Sequence, residues 1–199
     1  MPKDNKLDLH SLKEVYDITY KAFFSLRKLS YARKKQLIDK QFIERIMLAV
    51  TQVNDCKACA YGHSKIALEK AMSEEEIRGI LSGDFSTVPN KELPAVMFSQ
   101  HYADYRGEPS EKAYNQLVDH YGIDLAEGIV ATIRMIMFGN VYGVAWGSLF
   151  SRFKGNPDKR SSLIYELSMV IATLTFIPTA LIHSLILNLL KQDIISFKE

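Results

Sequence analysis

The sequence predicts an all-α fold, a single domain built as a bundle of about eight helices. Three observations lead there. Apolar residues recur at steps of three and four along successive segments, as helices with one buried face require. Serines and glycines sit where those segments begin and end. No strand pattern surrounds the two cysteines. At 199 residues the chain can bury one sizeable core, and nothing in it demands a second domain, so residues 1–199 are read as one unit.

Residues 1–8 read as a loose tail. From Leu9 onward, Leu12, Val15, Tyr16, Tyr20, Phe23 and Phe24 mark an amphipathic helix with an aromatic-rich face. Arg27, Lys28, Arg33, Lys34, Lys35 and Lys40 then stand against Asp39 alone, which reads as a solvated face. A second helix is expected from about Lys40, carrying Phe42, Ile43, Ile46, Met47 and Val50, with Glu44 offset from that apolar set. Asn54-Asp55 is the expected N-cap of the cysteine helix that follows. Ser73-Glu74-Glu75-Glu76 has the pattern of a capping box, and its helix should stop near Gly83. The segment 84–90 is a loop.

The next helix is expected from Glu92 to Arg106, and another from Ser110 to Gly122; both are expected to cover the cysteine helix. Residues 125–150 form the longest helical pattern and contain Gly139, Gly143 and Gly147. Each glycine costs a helix about 1 kcal/mol relative to alanine, so the three suggest a close helix crossing on a central helix. Asn140, Tyr142 and Trp146 read as packing residues with satisfied polar tips. After a break at 151–157, Leu167 to Leu190 is 24 residues without a charge, long enough to span a bilayer. Pro178, His183 and Asn188 lie within it, and the proline is expected to divide it into two helices too short to span. Their expected place is the core or an oligomer interface, with membrane insertion the lesser reading.

Composition narrows the functional classes. Hydrophobic residues make up 47% and charged residues 24%, ordinary for a soluble domain, and a net charge of +2 gives no sign of a nucleic-acid or membrane partner. With only two cysteines, no disulfide framework holds the fold; the usage suits a reducing compartment in which the pair cycles. The first ten residues are polar, without a secretory apolar stretch, so the cytoplasm is the expected location.

The chemistry concentrates in the stretch from Glu44 to His63. Cys56 and Cys59 are three apart and Cys59 and His63 four apart, so one helix would put a dithiol beside an imidazole. A helix N-terminus favours thiolate, the reactive form, which would make Cys56 the more exposed nucleophile. A preceding antiparallel helix could carry Glu44 back beside them, completing a proton relay. Zinc would need a fourth ligand, and His101 and His120 are not in ligand-like spacing. Two inert core cysteines are the plainest alternative.

The pattern Glu44, Cys56, Cys59, His63 resembles the core motif of the AhpD-like branch of the carboxymuconolactone decarboxylase superfamily. The resemblance implies an all-helical homo-oligomer with thiol-dependent antioxidant or disulfide-reducing activity. It assigns Glu44 and His63 to proton transfer at Cys59, and Cys56 to a reversible disulfide with it. It also implies a peroxide or disulfide substrate and an external dithiol donor, of lipoyl or thioredoxin type, with no cofactor or metal. Where some members have a histidine between the cysteines, this chain has Lys57-Ala58. Two other readings remain: a non-redox enzyme of the decarboxylase type, and a helical assembly module with structural cysteines.

Overall fold

Eight helices and no strand make up the described residues of the structure, a computed structural model: α1 (Leu12–Lys34), α2 (Lys40–Asn54), α3 (Lys57–Glu69), α4 (Glu74–Ser82), α5 (Leu93–Asp104), α6 (Glu111–Tyr121), α7 (Ile123–Phe153) and α8 (Leu163–Leu189). Residues 9–195 and 197 are described; the expected tail, 1–8, lies outside them. The basic residues from Arg27 to Lys40 are all exposed, as the solvated-face reading expected.

Local capping explains most of the boundaries. Ser11 and Glu14 form a reciprocal capping box at the start of α1, and Asp39 accepts from the Phe42 N–H at 2.8 Å to open α2. Ser73 caps α4, but only half of the expected box forms. Its hydroxyl accepts from Glu76 N–H at 3.1 Å, while the Glu76 carboxylate turns inward to Arg45. Gly83, at φ 84°, ends α4 in the left-handed region that glycine enters without strain. Asn54-Asp55 does not cap the cysteine helix. Asp55 instead ends α2 at φ 48°, and Cys56 itself is the N-cap of α3.

The core forms around α7, which packs against α1, α2, α3, α5, α6 and α8. Ile129, Ile133 and Met137 on it are fully buried. Its closest crossing lies elsewhere than expected: a Cβ at Gly128 would come within 2.6 Å of the Ala32 Cβ on α1. Gly139 has ordinary room and Gly147 faces open space, so the three spaced glycines do not form one helix seam. Nor do α5 and α6 cover the cysteine helix. The two pack on each other and on α7, α5 also on α2, whereas α3 touches α2, α4 and α7.

The apolar C-terminal stretch is a single helix with Pro178 inside it, not two. Met169, Ala172, Ala180 and Ser184 fall on both sides of the proline and face inward, so both halves are packed on the fold, where α8 meets α1 and α7. Tertiary packing thereby overrides the helix-breaking tendency of proline. Glu166, buried at the first turn, accepts from Arg152 Nε at 2.6 Å and Nη2 at 2.9 Å, which ties α8 to the end of α7. Both helices are long and apolar enough to cross a membrane. The apolar window of α7 is 72% buried within the fold, and that of α8 only 17%.

A second buried ionic group lies under α2. Arg45 donates to Glu76 at 2.6 Å and to Glu92 at 2.9 Å, and all three are under 9% exposed. Burial pushes the Glu92 carboxyl up and the Arg45 charge pulls it back. Removing the arginine would strand two carboxylates. Arg45→Met should cost about 3–5 kcal/mol in urea unfolding, and a Glu76→Gln, Glu92→Gln background should shrink that cost.

Candidate functional site

Both cysteines stand at the N-terminal end of α3, on the side that faces α7, and they form a disulfide with each other. Cys56 is 1% exposed and its Sγ accepts from the Cys59 N–H at 3.3 Å, a sulfur cap in place of the usual oxygen. Cys59 is only partly buried. Cys59 is therefore the more accessible residue of the pair, the reverse of what position at a helix N-terminus suggested. The preceding turn pulls Cys56 inward against α7.

Backbone is what the sulfurs rest on. A Cβ at Gly143 would fall 2.8 Å from Cys59 Sγ and 2.9 Å from Cys56 Sγ, closer than carbon and sulfur can approach. One turn earlier, the Gly139 carbonyl oxygen is 3.7 Å from Cys59 Sγ. The glycine spacing on α7 thus serves the cysteine pair at Gly143. Between these two glycines stands Asn140, 1% exposed, whose Oδ1 accepts from Thr51 at 3.2 Å. Its Nδ2 has no partner among the described residues, so its polar tip is half satisfied. Tyr142 and Trp146 match the packing reading, bonded to Thr19 at 3.0 Å and Thr173 at 3.2 Å.

Glu44 is buried, not exposed as its offset from the apolar stripe allowed, and its Oε2 lies 2.8 Å from His63 Nδ1. The α2–α3 hairpin brings this about: the tight turn at Asp55 folds α3 back along α2. Such a contact orients the imidazole and sets which nitrogen faces the far side. His63 is four residues after Cys59 on α3, so both side chains lie along one face of that helix. The remaining sequence candidates are elsewhere. His101 Nε2 accepts from Ser110 N–H at 3.1 Å, and His120 packs edge-on to Tyr121. Among the described residues no group of three or more His, Cys, Asp or Glu stands in a metal-holding arrangement.

Two features had no sequence signal. Arg160, in the segment between α7 and α8, reaches Asp55 at 3.1 Å and so borders the start of the cysteine helix. The outer face of α3 is open: Tyr61 is 77% exposed, and only Ala67 of the helix is fully buried.

Residues 19–91 match the model of the carboxymuconolactone decarboxylase family; the match runs from within α1 to just before α5 and contains all four motif residues. No curated protein and no solved structure matches the chain.

Gly143 and Gly147 offer a matched comparison, because only the first meets the sulfurs. Gly143→Ala should destabilise the oxidised protein by about 1–3 kcal/mol through overpacking. Gly147→Ala should be neutral or stabilising by up to about 1 kcal/mol. Thermal melts of both variants, with and without reductant, check this; equal effects would mean that the sulfurs do not set the space at Gly143.

Proposed function

We propose that this chain, whose residues 19–91 match the carboxymuconolactone decarboxylase family, is a thiol-disulfide oxidoreductase of the AhpD-like kind. The observation that carries the reading is a bonded cysteine pair whose more accessible member, Cys59, is one turn from a histidine held by a buried glutamate.

In the cycle, the Cys59 thiol loses its proton to His63, and Glu44 stabilises the imidazolium that forms. With a disulfide substrate, the thiolate attacks one sulfur and expels the other as a thiol. Cys56 then attacks Cys59, releasing the second thiol and forming the intramolecular disulfide. With a hydroperoxide, the thiolate takes the terminal oxygen, the alcohol leaves with a proton, and Cys56 displaces water from the Cys59 sulfenic acid. An external dithiol, of lipoyl or thioredoxin type, returns the pair to the reduced state and becomes a disulfide itself. Such cycling suits a reducing compartment such as the cytoplasm.

Alkylation by iodoacetamide, followed separately at each cysteine of the reduced protein, tests the relay. Cys59 should react with a midpoint well below the ordinary thiol value of about 8.5, and Glu44→Gln or His63→Ala should move it. Midpoints near that value at both sites would sink the redox reading. A Cys56→Ser, Cys59→Ser variant that still turned over a lactone would favour the decarboxylase-type alternative.

We also infer that a second copy of the chain covers the outer face of α8. Ile164, Leu167, Ile171, Leu174, Pro178, Leu181 and Leu185 are all exposed and are spaced three and four apart throughout. That 3.5-residue repeat is the seam of helix pairing, whereas lipid contact requires no period. With Ile182, Ile186, Leu189 and Leu190 alongside, the apolar face amounts to on the order of 1,000 Å², above the roughly 800 Å² per partner of a stable interface. Leu174→Glu should convert the assembly to monomers in light scattering. A wild-type protein that is monomeric in buffer, or soluble only in detergent, would overturn the pairing and in the latter case point to a membrane.

A further inference from the structure

Arg134 on α7 is 5% exposed, and the partners of its guanidinium are neutral. Nε donates to Tyr102 Oη at 2.8 Å and Nη1 to Ser25 Oγ at 2.9 Å. No carboxylate of the described residues comes within ion-pair distance of it. Arg45, by contrast, is held by two glutamates, and Arg152 by one. A guanidinium has five N–H donors. Two are engaged here, and the full positive charge remains. An ion buried without a paired counter-charge costs several kcal/mol, and among the described residues no direct ion pair offsets this one.

The same side chain lines a cavity of about 220 Å³ between α1, α5 and α7. Ile18, Tyr102 and Met137 form its apolar wall beside Arg134, and Asp17, Lys21 and Glu108 stand among its lining residues. Glu14 also lines it, but Arg106 is bonded to that carboxylate and holds its pKa down to about 2. The volume is below the roughly 300–1,000 Å³ of sites for drug-sized ligands.

We propose that this cavity binds a small monocarboxylate with an apolar body, its carboxylate paired with the free edge of Arg134. Charge decides between carboxylate and phosphate. One negative charge pairs with Arg134 and meets repulsion from Asp17 and Glu108, with Lys21 opposing it; a dianion would double that repulsion. The apolar wall takes the rest of the ligand. The site is separate from the cysteine pair: Arg134 precedes Gly143 by nine residues, about 14 Å along the helix. It does not depend on the redox reading.

Calorimetric titration of the full chain with benzoate, and separately with inorganic phosphate at the same ionic strength, tests the proposal. Benzoate should bind saturably, one per chain and more tightly than phosphate. Arg134→Gln should weaken it by about tenfold or more. Because that variant touches the core and could fail to fold, two substitutions at partly exposed positions extend the test. Asp17→Asn should tighten benzoate binding by removing a like charge, and Lys21→Gln should weaken it. Absence of saturation by benzoate, tighter binding of phosphate, or affinities unmoved in folded variants would each overturn the assignment.

Discussion

The burial of α7 is the constraint on which the rest of the structure depends. Among the described helices only α4 fails to touch it, so every other element takes its position from one 31-residue rod. Its sequence reads as a succession of different contacts along a single axis. Gly128 admits α1, Arg134 faces a cavity, Gly143 admits two sulfur atoms, and Trp146 anchors α8. A helix that is hydrophobic nearly all round can serve so many neighbours because no side of it is reserved for water.

Buried charge is handled in three different ways around that rod. Arg45 is overcompensated by two carboxylates, Glu166 is matched by one arginine at the α7–α8 junction, and Arg134 has only hydroxyl partners. The first two arrangements hold elements together across gaps that apolar packing would not orient. The third satisfies hydrogen bonds without a direct ion pair among the described residues, and for that reason it reads as a place where something from outside the fold belongs.

Much of this was legible in the residues, because periodicity and caps are local. The helices from Lys40, from Ser73 and from Ser110 begin as serine, aspartate and apolar spacing indicate. Glu44 was half legible: its offset from the apolar stripe gave no sign of burial, but the expected antiparallel return of the cysteine helix is what places it against His63. Pro178 misled for a related reason: the cost of a proline is local, whereas the packing of Met169, Ala172, Ala180 and Ser184 is not. Gly143 suggested a close helix crossing, and what it meets is the side-chain sulfur of the cysteine pair at the start of α3. Arg134 and Arg160 were silent, since an isolated arginine in a sequence carries no sign of burial or of partner.

The open face of α3 has a consequence for how the protein breathes. A helix that buries one side chain fully has little packing of its own to resist local opening. Its first turn is held by a sulfur cap and a covalent link between residues three apart, and the side-chain hydrogen bond that ties its middle to α2 is that of His63 with Glu44. Two of those restraints belong to the redox pair itself. Breaking the cysteine link would therefore lower the opening free energy of this segment while α7 stays locked in the core. The amides of α3 would become the part of the molecule whose hydrogen exchange reports the oxidation state, a local foldon coupled to the chemistry of two sulfurs.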